Sequence, residues 1–156
     1  MARNGKVDFR DLENLRQNLE NSFSSEQVDL FIQSCAKELA ARLLAKVIKR
    51  TPVGQYPKGS GKKGGTLRRG WTGGKSQAAH GYVNALTVSH TGDVYVIEII
   101  NPVEYAPYVE YGHRTRGGKG WVEGKFMLTI SENEIRADAP RILENKLKKK
   151  LGECFR

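Results

Sequence analysis

The residues of this chain that could carry chemistry are few and widely spaced. The histidines are His80, His90 and His113, and none has a second histidine or cysteine at the spacing of a metal site. His113 lies three residues after Glu110 and could form an acid–base pair with it, but no nucleophile motif accompanies the two. A small hydrolase therefore has no supporting motif, and we expect neither an enzyme nor a cofactor.

Two other patterns resemble reactive sites only superficially. The segment 59–65 reads Gly-Ser-Gly-Lys-Lys-Gly-Gly, which does not match the phosphate-binding motif GxxxxGK[ST] and follows no predicted strand. The acids Glu132, Glu134 and Asp138 have the spacing of a solvated helix face, whereas a nuclease needs a tighter carboxylate cluster. The chemistry of this chain is therefore expected to be that of binding.

Charge is unevenly distributed along the chain, whose formal net charge is +9. Eight basic residues and no acid occur from Lys49 to Lys75, whereas residues 76–112 contain four acids and no lysine or arginine. Copies of such a chain could attract each other head to tail, as the subunits of a ring do. Charge alone is equally consistent with solvated residues that have no partner.

Bulk properties bound the class of protein. The 156 residues match one domain, 1–156, and no apolar run approaches the roughly 20 residues that span a bilayer. The N-terminus is polar, so we expect a soluble protein made in the cytoplasm, without membrane contact. Cys35 falls in a helical apolar pattern, and two cysteines are too few for a disulfide framework.

Two helices are predicted before residue 52. Apolar residues recur every three or four positions within an N-terminal helical arm, residues 1–24. Ser24 and Gln27 then form a capping box that opens a long helix from Ser25 to Arg50, and Pro52 ends it. This helix is long for a small domain, so we expect it also to pack against other chains. The apolar positions of the arm are Leu12, Leu15, Leu19 and Phe23.

The remainder of the chain predicts loops, a hairpin and a last helix. A basic, glycine-rich segment, residues 54–75, is expected to be mobile until a partner orders it. Period-two alternation predicts an antiparallel hairpin over residues 82–100, and a second basic loop follows at residues 112–120. Residues 121–135 fit a strand or a helix, and Asp138 is predicted to cap a C-terminal helix with Pro140 in its first turn. The fold class is therefore α+β, with a long N-terminal and a C-terminal helix packed on a small antiparallel sheet.

Three short sequence strings follow one another in a characteristic order. They are Thr51-Pro52-Val53 after the long helix, Leu67-Arg68-Arg69-Gly70-Trp71 after a glycine-bearing loop, and the string from Tyr105 to His113, which reads Tyr-Ala-Pro-Tyr-Val-Glu-Tyr-Gly-His. Together with Phe126-Met127-Leu128 they make the chain resemble the HK97 gp10-like family of phage morphogenesis proteins, over roughly residues 36–151. The chain departs from the family pattern at residues 54–66, where a longer basic insert replaces a short link.

The resemblance implies a structural subunit of a phage neck, head–tail connector or tail-completion ring. It implies a homo-oligomer, with a hexameric ring expected, that contacts connector, tail-terminator or tail-tube proteins in the virion after assembly in the host cytoplasm. The aromatic string from Tyr105 to Gly112 offers anchors for such an interface, and the alternative is an ordinary corner of the core.

The residues expected at an interface are drawn from the second and third strings and the loop after them. Leu67 and Trp71 are expected to be buried while Arg68 and Arg69 face outward and pair with Glu110 of the same chain or a neighbour. The expected interface residues are Arg68, Arg69, Trp71, Tyr105, Tyr108, Glu110, Tyr111, His113 and Arg114.

A nucleic-acid-binding protein is the competing interpretation. Lys58, Lys62 and Lys63 lie in the first basic loop and could contact DNA in the lumen of a ring, or a partner protein. A nucleic-acid binder should gather its basic residues on one face, whereas a ring subunit should oppose basic and acidic faces. The acid-only stretch of residues 76–112 favours the ring.

Overall fold

The computed structural model describes residues 10–155, with side chains from residue 13 onward. Residues 1–9 of the predicted arm and the side chain of Leu12 lie outside the described residues. The helices are α1 (Arg10–Ser22), α2 (Ser25–Arg50), α3 (Thr66–Gly70), α4 (Ala79–Asn84), α5 (Ala106–Tyr111) and α6 (Met127–Glu153). The strands are β1 (Ser89–Thr91), β2 (Val94–Val96), β3 (Gly112–Arg114) and β4 (Trp121–Glu123). The predicted α+β class is confirmed.

Helix α2 begins and ends where the sequence predicts. Ser24 Oγ accepts a hydrogen bond from the Gln27 amide at 3.3 Å, which is half of the predicted capping box. The Thr51 amide closes the last turn on the Val47 carbonyl, and Pro52 follows. The face of α2 that includes Leu44 and Val47 is fully buried and forms the centre of the core.

Helices α2 and α6 pack antiparallel and form the scaffold of the fold. Near the C-terminus of α2, Lys46 and Arg50 contact Glu134 in the second turn of α6. Nearer the N-terminus of α2, Glu38 lies 3.9 Å from Lys146, which is in the C-terminal half of α6. The shorter elements can therefore pack at either end of this helix pair.

The start of the last helix was predicted wrongly. Helix α6 begins at Met127 and runs through Asp138, so Pro140 lies inside it. A proline inside a helix removes one hydrogen bond and costs about 3 kcal/mol. Burial on both sides of the proline offsets this cost, because Ile135 and Ile142 both pack into the interior.

The single predicted sheet is in fact two separate two-stranded antiparallel hairpins. The β1–β2 hairpin pairs Thr91 with Val94 across a turn at Gly92 and Asp93, as predicted, but it is shorter than residues 82–100. Residues 82–84 are helical, in α4, because Val83 is completely buried in the core that α4 forms with α2. The segment 97–100 keeps the alternation, with Ile97 and Ile99 against the core, but it pairs with no strand among residues 10–155.

Both predicted loops contain regular structure. Helix α3 forms within the predicted loop of residues 54–75, because Leu67 and Trp71 are apolar at helical spacing and enter the core. The predicted loop of residues 112–120 includes strand β3 and the turn that joins it to β4, with Arg114 opposite Trp121. None of the helices in the described part of the chain is long and apolar enough to cross a membrane.

Candidate interface surfaces

The short helix α5 presents an exposed aromatic surface. Ala106 is buried and Val109 packs against the core, so the opposite positions face outward. Tyr105, Tyr108 and Tyr111 are exposed by 46%, 58% and 62%. The alternative of an ordinary core corner does not hold for these three rings. Because large aromatic side chains are usually buried, this surface is suited to contact with another molecule.

Glu110 has a different role from the one predicted. It is 5% exposed, and its carboxylate accepts hydrogen bonds from the Leu128 and Thr129 amides, both at 2.9 Å, and from the Thr129 hydroxyl at 2.7 Å. These amides belong to the first turn of α6, which has no side-chain cap of its own because Phe126 occupies the N-cap position. Glu110 therefore caps α6 from another helix, where the positive end of the helix dipole favours a carboxylate.

This cap removes Glu110 from two predicted partnerships. It does not pair with Arg68 or Arg69, and it is not exposed for contact with another molecule. His113 is likewise not paired with it, since the His113 ring lies 3.4 Å (Nδ1) from the Tyr108 carbonyl oxygen and packs edge-on against the Tyr108 ring. The hypothetical acid–base pair of Glu110 and His113 is thus not formed.

Close backbone packing fixes the base of the β3–β4 hairpin against α5. Gly112 has φ of +86°, and a Cβ there would lie 2.5 Å from the Val122 carbonyl oxygen. A Cβ on Gly124 would lie 2.4 Å from the Glu110 carbonyl oxygen. The hairpin is therefore held rigidly next to the tyrosines of α5, and it exposes Trp121 by 55% and Val122 by 42%.

The first and second family-like strings are joined inside the molecule. The Trp71 indole nitrogen donates to Thr51 Oγ1 at 2.8 Å, and the Arg68 guanidinium donates to the Thr51 carbonyl at 2.7 and 3.2 Å. Leu67 and Trp71 are buried as predicted. Trp71, at 4% exposure, is consequently unavailable to a partner, and Arg68 is half-buried against its own chain, so the structure removes Trp71 from the candidate interface.

The basic loop before α3 is exposed. Lys58, Lys62 and Lys63 all lie at the surface, and Lys62 is 5.9 Å from the centre of the Tyr56 ring. Arg69 is half-buried and contacts the Gly64 carbonyl at 3.3 Å, so it anchors the end of the loop. The loop therefore places three cations in reach of a partner without holding them by ion pairs among the described residues.

Sequence reasoning missed a second exposed apolar surface on the β1–β2 hairpin and the segment after it. Val94, Val96 and Ile100 are exposed by 60%, 46% and 60%. Alternation along the strand predicts one face in and one face out, but the outward positions are also aliphatic, and a sequence does not show which face meets solvent.

The β1–β2 hairpin is tied to the N-terminal part of α2. The Tyr95 hydroxyl donates to Asp29 Oδ1 at 2.6 Å, and the His90 ring stacks on the Tyr95 ring at 4.2 Å. The hydrogen bonds that Tyr95 and Gln33 donate lower the pKa of the Asp29 carboxyl, and the same contact raises the pKa of Tyr95. No group of three or more metal-ligating side chains occurs in the part of the chain that the structure describes.

Comparison with known protein families gives a match over most of the chain. A family described as bacteriophage HK97-gp10 tail components matches residues 13–112, which are 100 of the 156 residues. The chain belongs to the HK97 gp10-like family. No match was found among curated proteins or among solved structures. This HK97 gp10-like chain is thus a structural phage protein, a tail component of the virion that works among other phage structural proteins.

The matched region of this HK97 gp10-like chain runs from α1 through α5. It contains both strings that meet at Thr51 and ends at Gly112, immediately after the exposed tyrosines. The β3–β4 loop, with its basic residues, and the whole of α6 follow the matched region.

Proposed function

We propose that this chain is the subunit of a ring in the phage neck, head–tail connector or tail-completion region. It acts by assembling with copies of itself, in a hexamer, and by docking to an adjacent connector, tail-terminator or tail-tube protein. The observation that carries the proposal is the rigid aromatic surface of α5. Tyr105, at the N-cap of α5, and Tyr108 and Tyr111, within it, are all exposed, whereas the carboxylate of Glu110 is hydrogen-bonded inside the molecule.

The rigidity of this surface supports an assembly role. Aromatic residues lose little conformational entropy on binding and dominate the energy of interfaces. The Glu110 cap and the close contact of Gly124 with α5 hold the tyrosines in place before a partner arrives. Pre-organisation of this kind lowers the cost of association. Of the predicted interface residues, those that remain in the proposal are Arg68, Arg69, Tyr105, Tyr108, Tyr111, His113 and Arg114.

The same geometry supports a structural rather than a catalytic role. In the acid–base pair considered from the sequence, the acid is Glu110, and its oxygen atoms are occupied by the first turn of α6. A general base must reach the proton that it removes, and a buried capping carboxylate does not.

A second function is favoured by the loop at residues 54–65. Lys58, Lys62 and Lys63 are exposed together with Tyr56, which is a combination that contacts a nucleic-acid backbone without reading its sequence. In a ring whose lumen admits DNA, this loop would line the passage. The contact would be secondary to assembly.

The mass of the purified full chain in solution tests the proposal. We expect light scattering and negative-stain images to show rings, either of the protein alone or after addition of tail-tube or connector protein. The measured mass of the assembly, divided by the 17.4 kDa mass of one chain, gives the copy number. A strict monomer that ignores such partners and binds duplex DNA, with affinity that falls steeply as salt rises, would replace the assembly proposal with the nucleic-acid one.

A further inference from the structure

The two hairpins lie at opposite ends of the α2–α6 pair. Tyr95 fixes the β1–β2 hairpin to Asp29, near the start of α2. Glu110 fixes the residues before β3 to the start of α6, whose Glu134 contacts Arg50 at the end of α2. From Asp29 to Arg50 the helix axis rises about 32 Å at 1.5 Å per residue. A molecule with these two features at its two ends can be joined head to tail.

The two hairpins carry opposite charge, although the α6 residues Lys146, Lys149 and Lys150 lie beside Leu30 and Phe31 at the same end of the helix pair as the β1–β2 hairpin. The β1–β2 hairpin and the segment after it expose Asp93 and Glu98, in a stretch without lysine or arginine. The segment 112–125 contains four basic residues and the single acid Glu123, and its three loop cations are exposed. Those loop cations are Arg114, Arg116 and Lys119. Opposed patches of this kind steer association and fix its register.

Both ends also expose apolar side chains beside unpaired strand edges. The β1–β2 hairpin exposes Val94 and Val96, and the β3–β4 hairpin exposes Trp121 and Val122. Each hairpin has only two strands, and within residues 10–155 no third strand covers an outer edge. An isolated two-stranded ribbon is marginally stable, and its free edge is a template for another strand.

We infer that the basic, aromatic β3–β4 hairpin of one copy binds the acidic, aliphatic β1–β2 hairpin of the next copy. The inference rests on the proposed assembly function and names the contact that builds it. The two hairpins form one intermolecular sheet, in which Val122 lies beside Val94 and Val96 on one face, while Arg114 and its loop neighbours meet Asp93 and Glu98. Since the donor and acceptor differ, the contact is heterologous, and it closes into a ring when the rotation from copy to copy completes a full turn.

Charge reversal of each face, followed by mixing, tests this contact. Variant A is D93K/E98K and variant B is R114E/R116E/K119E, and all of these positions are exposed. We expect each variant alone to lose self-association by about tenfold or more, because its two faces then have the same sign. An equimolar mixture should assemble again, because the reversed face of A fits the reversed face of B and the two native faces fit each other.

The control is E132K/E153K, which changes the net charge as much as variant A does but at exposed positions on α6. It should assemble like the unmodified protein. If A and B assemble normally, or if their mixture does not recover, the hairpin contact is wrong even though rings form, so the proposed function survives. If the unmodified protein forms no assembly alone or with tail proteins, both proposals are wrong.

Disulfide trapping separates this contact from a two-fold one. V96C and V122C replace valines exposed by 46% and 42%. Mixed and oxidised, they should give the V96C–V122C heterodimer in preference to either homodimer. V53C is the control, because Val53 is also 42% exposed but lies outside both hairpins. Predominant V96C–V96C or V122C–V122C dimers would show an isologous interface and overturn the inference.

Discussion

Trp71 donates its indole hydrogen to the side-chain oxygen of Thr51 at 2.8 Å, in a site where Thr51 is completely buried. Thr51 ends helix α2 and Trp71 follows α3, so this bond joins the long helix to the next element of the core. Arg68 adds two bonds to the Thr51 carbonyl. The two strings that mark the family in the sequence are therefore two halves of one internal contact.

We predict that Thr51→Val destabilises the fold by about 1–3 kcal/mol, because it leaves the buried Trp71 N–H without an acceptor. Thr51→Ser keeps the hydroxyl and should cost less, about 1 kcal/mol for the lost methyl group. Urea denaturation followed by tryptophan fluorescence measures both. A smaller loss in Thr51→Val than in Thr51→Ser would show that the methyl group, and not the hydrogen bond, stabilises the site.

Substitutions at Glu110 and Tyr108 should have different effects, the first on the stability of the fold and the second on self-association. Glu110→Ala removes three hydrogen bonds to the start of α6 and should lower stability by about 2 kcal/mol or more. Tyr108→Ala, at a 58% exposed position, should change stability by no more than about 0.5 kcal/mol but weaken self-association. Thermal melting and sizing on both variants give the comparison. A large loss of stability in Tyr108→Ala would place that ring in the core.

Sequence reasoning located the elements that rest on local patterns. Helix α2 was predicted to the residue because a cap, a continuous apolar face and a proline all mark it. Residues 82–84 were predicted as strand because Tyr82 and Val83 fit a period of two, and only packing against α2 makes them helical. Pro140 was placed in a first turn because a proline inside a helix is costly, and the sequence shows the proline. The burial of Ile135 and Ile142, which offsets that cost, is not visible in the sequence.

The site divides in the same way. The tyrosines of α5 were singled out by their density around Pro107, and the structure exposes all three. Glu110 between them was grouped with the interface because its partners, Leu128 and Thr129, lie 18 and 19 residues away. A contact between an acid and the amides of a distant helix leaves no local pattern. Only the weak cap of α6, where Phe126 precedes Met127, signals that a cap must come from elsewhere.

Close backbone contact leaves no room for a side chain at Gly124, at the base of the β3–β4 hairpin. We predict that Gly124→Ala destabilises the fold by about 1–3 kcal/mol, because its Cβ would lie 2.4 Å from a backbone oxygen that cannot move freely. Gly152→Ala is the matched control, since nothing lies within 4 Å of its Cβ and it is helical. It should gain up to about 1 kcal/mol. Denaturation midpoints that do not differ would contradict the close contact.

The ion pairs between α2 and α6 should make stability depend on acid. Hydrogen bonds from Lys46 and then Arg50 lower the pKa of Glu134 from its ordinary value of 4.5. A lowered folded-state pKa contributes stability that is complete above the unfolded value and is lost as the pH falls through the folded value. Unfolding should be measured from about pH 6 to below about pH 4, a range that crosses the unfolded pKa of a glutamate. Over this range the stability of Glu134→Gln should fall less than that of the unmodified protein. Glu132→Gln, on the same helix, is the control, and identical acid profiles for the two variants would contradict the pairing.

Limited trypsin digestion tests whether the first basic loop is bound in the assembly. Lys58, Lys62 and Lys63 are exposed before α3, whereas Arg68 and Arg69 are half-buried within α3 and are bonded to backbone carbonyls. We expect early cleavage in the monomer at the three lysines and not at the two arginines, and protection of the lysines in the assembled ring. Exposed backbone without regular structure is cut first because it needs little local unfolding. Cleavage at equal rates in the two states would mean that the loop faces neither a neighbouring subunit nor a docked partner, and protection in both would mean that the monomer already orders it.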